Sequence, residues 1–464
     1  MSSFGGILSV ARSGLLASQK AVTVASNNIT NAQTPGYSRQ RVVLRTNEPV
    51  QLPQGSFGTG VLVDNVERVR DVLLDDTFRQ DTASATFSEQ RRDTLQAIER
   101  VWGEPSETGL AAGLEQFWNA WGDLAATPTS AAARSVVRQR GQQVSQQLNT
   151  FAARLGDMVS QSRAQTIETV SRINALAREI GALNSRIVPA ESGGIEAPEL
   201  RDQRDLKVDE LASLVGATAI EAPDGSINVQ IGGDTIVDGS QVKEIEIRAP
   251  IGRPDELGVA LVGRGVGPIE TIAQVGGRLA AQLQDFNGTI PNAQAAVDEI
   301  ARALVTEVNA IHRTGFVGAD PAGDFFDPAA TTASGIRLDA AIAADAGLIA
   351  AADTAGESGN NGVALRLSQL RSTTVTVDGQ VQTIGAAWRG MVTTTAIGAN
   401  AADAAAVSSR TLASQTDARR ESMKGVSIDE EMVNLMRFQQ SYAAAARLIS
   451  VVDEMSQTLI NLGR

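Results

Sequence analysis

The side chains that could carry chemistry are few and lie far apart along the chain. His312 is the single histidine, and the chain has no cysteine. A Ser-His-Asp triad or a histidine zinc site would therefore have to rely on His312 alone. Together with Arg313 it lies in the last turn of a predicted helix that ends before Gly315, where cations complement the helix dipole. We expect His312 to have a structural role.

Two acidic groups are the other candidates for chemistry. Asp320, Asp324 and Asp327 in GADPAGDFFDP suggest calcium, but their spacing matches no calcium-binding loop. The Asp-Glu-Glu run at 429–431 consists of consecutive residues, which on a helix point around its circumference instead of converging as a catalytic pair. Neither group therefore predicts a metal site or an acid–base pair.

The glycines at 263, 265 and 267 in GRGVGP do not sit in a strand–turn–helix phosphate loop. We therefore expect no nucleotide, no metal and no other cofactor. No catalytic residue is assigned, and an enzyme activity is not expected.

Composition narrows the range of partners. The 464 residues suffice for two or three domains. A net charge of −13 disfavours nucleic acid, and the chain has neither a polybasic segment nor an apolar run of about 20 residues for a membrane. The N-terminus carries Arg12 and Lys20 among apolar residues and does not resemble a cleaved signal peptide. The absence of cysteine suits a chain that is exported unfolded.

The first predicted element of secondary structure is an N-terminal helix whose apolar residues repeat every seven positions. Large residues recur every seven positions, and a second row of mostly small residues accompanies them, which favours close packing against a partner helix. The first row is Leu8, Leu15, Val22 and Ile29, and the second is Phe4, Ala11, Ser18, Ala25 and Ala32. The helix should stop near Asn31, because the turn residues Thr34, Pro35, Gly36 and Tyr37 follow.

The C-terminus repeats the pattern. One row is Ile428, Leu435, Tyr442 and Ile449, and the other is Phe438, Ala445, Val452 and Leu459. We hypothesise that the two ends carry assembly by burying their stripes against neighbours, and that they are frayed until then. The alternative is that the rows pair within one subunit. The predicted assembly residues are Phe4, Leu8, Leu15, Val22, Ile29, Leu435, Phe438, Tyr442, Ile449, Val452 and Leu459.

The middle of the chain combines two hydrophobic periods, one typical of helices and one typical of strands. Residues 68–215 have helical period, with a row at Leu148, Leu155, Leu176 and Leu183. From about 216 the period is two, with hairpin turns at 224–225 and 232–233, and the segment 373–384 predicts another hairpin. Helical period returns at 271–312 with a break at 288–291, and again at 385–420.

The predicted fold class is α+β and multidomain, with terminal helices paired as a coiled coil, a long helical rod and a β-rich central insertion. Residues 1–45 with 426–464 form the terminal polymerisation domain. Residues 46–215 with 271–315 and 385–425 form the rod, and residues 216–270 with 316–384 form the β-rich domain.

Two terminal segments resemble a known family. NNITNAQTPGYSRQ resembles the signature of the flagellar rod, hook and hook-associated proteins, which usually have Asn at the position of Gln33; the turn residues are unchanged. The segment 425–462 resembles the family's C-terminal helix. ELRDQRDLKVDEL and VDEIARALVTEVNAIHRTGF are similar to two helices of the hook-associated members.

The resemblance implies a structural subunit at the junction of hook and filament, incorporated as a ring of copies. Its partners would be the hook protein, the second junction protein and, during assembly, the filament cap protein. The resemblance also implies an extracellular location, export through the flagellar type III apparatus without a cleaved signal, and a dedicated chaperone at the C-terminal region.

Three alternatives remain from sequence. Another axial subunit (rod, hook or second junction protein) is the nearest, although rod proteins are usually shorter and the Asp-Gln-Arg-Asp helix argues against a hook subunit. A type III secreted coiled-coil effector that inserts into membranes should have a long apolar hairpin, which is not present. A filament-borne hydrolase is disfavoured by the single histidine.

Overall fold

The structure is a computed structural model that describes residues 2–52, 55–263 and 271–462, with no side chains described at 2–4, 52 and 462. Helices dominate the chain from end to end. They are α1 (Ser2–Asn31), α2 (Val72–Trp102), α3 (Leu110–Ala126), α4 (Ala131–Glu191), α5 (Pro198–Val215), α6 (Gly277–Gln284), α7 (Ile290–His312), α8 (Ala340–Ala344), α9 (Gly362–Gln369), α10 (Ile384–Lys424) and α11 (Ile428–Leu462).

The strands are short and antiparallel. They are β1 (Gln40–Thr46), β2 (Val50–Leu52), β3 (Gly55–Phe57), β4 (Val61–Arg68), β5 (Thr218–Glu221), β6 (Ile227–Ile231), β7 (Asp234–Asp238), β8 (Gln241–Val242), β9 (Ile245–Arg248), β10 (Gly258–Leu261), β11 (Phe316–Val317), β12 (Asp320–Pro321), β13 (Val375–Val377) and β14 (Gln380–Gln382). Strands β5 to β8 form one sheet in chain order, and the others pair as β1–β4, β2–β3, β9–β10, β11–β12 and β13–β14. The predicted α+β architecture, long helices with small sheets in the middle, is confirmed.

Local sequence explains where the long helices begin and end. The Asp71 carboxylate accepts hydrogen bonds from the first turn of α2, and Gly103 closes that helix in the left-handed region at φ 58°. Ser130 and Thr383 cap α4 and α10 in the same way. Helix α4 ends at Glu191, two residues after Pro189.

Helix α4 holds two separate apolar cores on one rod. Leu148 and Leu155 are buried in an upper core with α2, α3, α7 and the first turns of α10, whereas Leu176 lies in a lower core with α5, α6 and strands β5–β10. Leu183 is buried near the end of the same row. The predicted leucine row is therefore confirmed as the buried stripe of α4.

The two cores are separated by a polar waist. On α4 the heptad row passes through Ser162 and Thr169, which are buried but polar. Opposite them, α6 joins α7 through a π-helical turn at Asp285–Thr289. The predicted helix break at 288–291 is therefore wrong: the chain stays helical there because a π-helical turn, with its i→i+5 hydrogen bonds, accommodates one inserted residue.

Asp285 lies in the waist with almost no exposure to solvent. The Thr94 hydroxyl donates to its Oδ2 at 2.7 Å, and its Oδ1 accepts no hydrogen bond within the described ranges. Burial raises the pKa of Asp285 to about 6.

The middle segments group differently from the sequence-based domain prediction. That prediction joined 216–270 with 316–384, but Phe325, Ile336 and Val363 are buried in the upper core, apart from β5–β10. The grouping is corrected because β11 to β14 are two or three residues long, too short to bury a face of their own, so the large apolar residues of this segment pack on helices.

The segment 40–68 also differs from prediction. Sequence analysis placed 46–68 with the helical rod, whereas the structure has the β1–β4 ladder with the β2–β3 hairpin at its outer end. The alternation of β1 and β4 is weak, since apolar residues occur on both faces, and a register shift between Val43 and Leu44 interrupts it.

The waist generates a prediction about pH. The pKa of Asp285 is raised on folding, so the protonated group favours the fold, and stability is lost as pH rises from about 4 to about 6. We expect Asp285→Asn to unfold at a higher urea concentration than the natural chain at pH 8, with a gain on the order of 2 kcal/mol, and to lose that advantage at pH 4. A difference independent of pH would contradict the raised pKa.

Candidate functional site: the terminal helix pair and its polar hub

Helices α1 and α11 pair antiparallel within one chain. Gly14 faces Ala445, and Asn28 reaches Glu431. A Cβ added at Gly14 would lie 3.9 Å from the Ala445 Cβ, an ordinary van der Waals distance, so the two helices approach through small residues here. We call α1 and α11 together the terminal pair. Its fraying in solution before assembly stays a prediction.

The seam between the two helices is formed chiefly by small side chains. On α1 the buried residues are Ala11, Ala17, Ser18, Ala21, Val24, Ala25 and Asn28, and on α11 they are Glu431, Ala445 and Val452. The members of the two second rows that are buried within the subunit are Ala11, Ser18, Ala25, Ala445 and Val452.

The large residues of the predicted stripes are left partly open. Leu15, Val22, Ile29, Leu435, Phe438 and Ile449 are half-buried, whereas Leu8, Tyr442 and Leu459 are exposed. The side chain of Phe4 lies outside the described residues. Of the predicted assembly residues with described side chains, only Val452 is fully buried in the seam.

Further exposed apolar residues were missed by the sequence analysis. They are Ile7, Val10 and Leu16 on α1 and Met432, Val433, Met436, Leu448, Val451, Met455 and Ile460 on α11. Leu448 and Met455 are seven residues apart, and Leu448 directly precedes Ile449 of the predicted row. This spacing was the sequence signal for a further apolar row on α11. Together with Leu8, Tyr442 and Leu459 these residues are exposed apolar side chains of the terminal pair, and we call this set the open face. An exposed apolar surface of this kind marks a site of protein association.

The two helices of the terminal pair differ in the charges that they carry. α1 carries Arg12 and Lys20 and no acidic residue, whereas α11 begins with the acidic run 429–431. This run lies at the N-terminus of α11, where negative charge complements the helix dipole. It is a helix start that also binds α1, not a catalytic pair.

The terminal pair joins the rod through what we call the polar hub, centred on Asn28. Its Nδ2 donates to the Gln40 carbonyl at 2.9 Å and to Glu431 Oε2 at 3.0 Å. Its Oδ1 accepts from the Tyr37 hydroxyl at 2.8 Å and from the Gln40 N–H at 3.0 Å. Since Asn28 is buried, each of these bonds replaces lost water and fixes the geometry.

Arg39 and Ser38 connect the hub to both halves of the chain. The Arg39 Nη2 lies 2.7 Å from Glu431 Oε1. The backbone N–H of Arg39 donates to the Lys424 carbonyl at 2.8 Å. Ser38 donates through both its N–H and its hydroxyl to Asp202, at 2.9 and 2.7 Å. The segment after α1 is therefore bound to α11, α10 and α5 at once.

The turn motif forms the corner of this hub. The Tyr37 N–H donates to the Thr34 carbonyl, Pro35 occupies the first corner and Gly36 has φ 79°. A Cβ at Gly36 would lie 2.5 Å from Leu206 of α5. Glycine is required here both by the turn and by the contact. Gln33, where the chain departs from the family signature, is exposed.

The Asp-Gln-Arg-Asp helix supplies the base of the hub. Asp202, Asp205 and Asp209 are spaced i, i+3 and i+7, so they lie on one face of α5. Four arginines from different segments converge on that face: Arg68 binds Asp202 and Asp205, Arg70 binds Asp205, and Arg79 and Arg420 bind Asp209.

The pKa of each carboxylate on this face depends on how many arginines lie beside it. Burial would raise the pKa of Asp205, but Arg70 and Arg68 hold it at about 2. Burial raises the pKa of Asp202, which has Arg68 and the Ser38 hydroxyl beside it. Burial lowers the pKa of Arg204, on the other side of α5, to about 10, and its Nη1 donates to the Gly225 carbonyl at 2.6 Å.

His312 has a different structural role from the expected one. It is fully buried, and burial lowers its pKa, so it is neutral and is not a cation at the helix end. Its Nε2 accepts from the Ala350 N–H at 3.0 Å, which leaves Nδ1–H to donate to the Gly323 carbonyl at 2.7 Å. The helix end therefore uses a neutral ring to hold the following loop.

The other candidate chemical groups do not converge. Asp324 and Asp327 pair with Arg313 and Arg337, and Asp320 lies on β12. In the ranges 2–52, 55–263 and 271–462 no cluster of three or more His, Cys, Asp or Glu side chains could hold a metal. Of the glycines in GRGVGP, those at 265 and 267 lie outside the described residues. No described helix is long and apolar enough to cross a membrane.

Family models match both ends and the middle of the chain. Residues 8–37 match the model of the flagella basal body rod protein, and residues 421–462 match the C-terminal model of the flagellar basal body rod FlgEFG proteins. Residues 95–326, half of the chain, match the helical domain of the flagellar hook-associated protein FlgK.

Individual relatives extend these matches over nearly the whole chain. Flagellar hook-associated protein 1 of Bacillus subtilis (strain 168) is 30% identical, covering 98% of this chain and 97% of its own length. The Escherichia coli (strain K12) protein of that name is 24% identical over 98% of this chain and 99% of its own. The structure of the flagellar hook junction protein FlgK from Burkholderia pseudomallei has the same fold, with a TM-score of 0.67 at 15% identity, over 75% of this chain and 100% of that one.

Helical ends of this kind around a helical and β-containing middle define a structural axial protein of the flagellum. The chain belongs to the family of flagellar hook-associated protein 1.

The hub generates a prediction about stability. Asp205→Asn leaves Arg68 and Arg70 with too little counter-charge in a buried site, so we expect it to cost about 3–5 kcal/mol in urea unfolding at pH 7. The matched control is Asp64→Asn, which removes an ion pair with Arg45 between half-exposed side chains and should cost less than about 1 kcal/mol. Equal losses would contradict a special role for the face of α5.

Proposed function

We propose that this chain is a structural subunit of the flagellum that forms the junction between hook and filament, with copies assembling through the terminal pair. The observation that carries the proposal is the open face, which stays exposed after α1 and α11 have paired. The family supports the flagellar location, and FlgK of Burkholderia pseudomallei is a flagellar hook junction protein.

The burial pattern supports assembly through the ends. Met432, Met436, Leu448 and Met455 are about half exposed, so each would contribute roughly 0.7–1.5 kcal/mol if a neighbour buried the remainder. Methionine adapts its shape to an irregular partner, which suits a subunit with different proteins on its two sides. We propose residues 1–45 with 426–464 as the polymerisation domain, with the half-buried members of the predicted stripes at its edges.

The partners follow from the same proposal. They are further copies in a ring, the hook protein, the second junction protein and, during assembly, the filament cap protein. We also propose export through the flagellar type III apparatus without a cleaved signal, with a chaperone that covers α11 beforehand. An exposed apolar helix in the cytoplasm would otherwise associate too early.

A function as another axial subunit is less well supported. The rod-protein models match residues 8–37 and 421–462, whereas the hook-associated model covers 95–326 between them. A secreted effector would not account for relatives that match along nearly the whole chain.

The open face gives a direct test in flagellated cells that make this protein. Leu448→Asp places a charge on an exposed position of α11, so the chain should still fold. Its incorporation into flagella should fall about tenfold or more. Leu15→Asp and Ile449→Asp, at half-buried positions, should also block assembly. The measurement is the amount of the chain in sheared flagella, with filaments counted by electron microscopy.

Ile397→Asp is the matched control, because Ile397 is an exposed apolar residue on α10, away from the terminal pair. Normal incorporation of Ile397→Asp with loss of Leu448→Asp is the expected result. Normal incorporation of Leu448→Asp would overturn assembly through the open face.

A further inference from the structure

The β1–β4 ladder and the β2–β3 hairpin form a projection, which we call the arm (residues 40–52 and 55–68). Its base is buried in the hub at Gln40 and Val66, but its outer half is open. The exposed apolar residues of that half are Leu44, Val50, Phe57 and Leu62, each 40–50% exposed. Val50 and Phe57 are direct cross-strand partners, so they lie on one face.

A two-stranded ribbon of this kind is marginally stable on its own, and each strand has an edge without a ladder partner among the described residues. Most protein surfaces hide such edges or mark them with charge. The strands of the arm carry charged side chains, but its outer half also exposes apolar side chains beside the open edges. This is the surface of an element that gains a partner.

The arm is continuous with the open face of the terminal pair. Gly60, at φ 103°, lies so close to α1 that a Cβ would be 2.1 Å from Ser13 Oγ and 3.2 Å from Val10 Cα. The Val61 N–H donates to Ser13 Oγ at 3.2 Å. Val10 belongs to the open face, so one surface runs from α1 onto the outer half of the arm.

The charges of the arm fit a partner that resembles the chain itself. Copies with a net charge of −13 repel each other over most of their surface. In the arm, Arg45 pairs with Asp64 at 2.9 Å and Arg41 pairs with Glu67 at 3.5 Å across the strands. Two copies that met through the arm would therefore repel each other little, because most of its charges are paired within it.

We propose that the arm docks on a second copy of this chain and extends the interface formed by the terminal pair. The inference rests on the proposed function, since it requires that copies assemble. It adds an element that neither terminal helix contains, and it assigns Val50 and Phe57 as its contact residues.

The test replaces Phe57 by the photocrosslinking residue p-benzoylphenylalanine in flagellated cells that make this protein, followed by irradiation of isolated flagella. The expected product has twice the mass of the chain and yields peptides of this chain only. The matched control carries the same residue at Val381, a strongly exposed position of the short β13–β14 hairpin, and should give no such product. A product with another flagellar protein, or none in assembled flagella, overturns the proposal.

A second variant measures the contribution of the arm. Val50→Asp with Phe57→Asp should lower incorporation into flagella about tenfold or more, because two half-exposed apolar residues lose their burial. Its unfolding midpoint should match that of the natural chain. Loss with Leu448→Asp but normal incorporation of the arm variant would overturn this inference alone, whereas normal incorporation of both would overturn the proposed function as well.

Discussion

The buried charge network on one face of α5 determines how the rest of the molecule is arranged. Three aspartates of one helix bind arginines from β4, the following loop, α2 and α10, and Asp202 also binds the segment after α1. Buried ion pairs add little net stability, but breaking one partner is costly. The network joins these segments to one face of α5, and through Asp202 and Ser38 it links the terminal pair to the rod.

That orientation matters because the buried seam and the open face lie on the same two helices. Small residues such as Gly14 and Ala445 bring α1 and α11 together, which leaves the bulky side chains pointing outward. A seam of large residues would have separated the helices and buried those side chains. The subunit thus folds with the residues of the open face exposed, and a shift of the terminal pair at the hub would move them together.

The rod below the hub is divided rather than uniform. Its upper core contains the aromatic residues, with the Phe151 and Trp388 rings stacked at 5.3 Å, and its lower core is aliphatic and carries the β5–β8 sheet. Between them the polar waist holds Asp285, whose raised pKa reflects the cost of a charge without full compensation.

Sequence by itself determined what local chemistry dictates. The heptad rows predicted the terminal helices, Thr34 to Tyr37 predicted the turn, and the leucines of α4 predicted its buried stripe, because period and turn geometry depend on neighbouring residues. It could not show that Asp205 collects arginines from β4 and the following loop, that 316–384 packs on helices, or that His312 is a buried neutral ring. Nor could it separate Val452 in the seam from Leu448 on the open face, one helical turn away. Those outcomes depend on which distant segments meet and exclude water, and only the tertiary structure decides that.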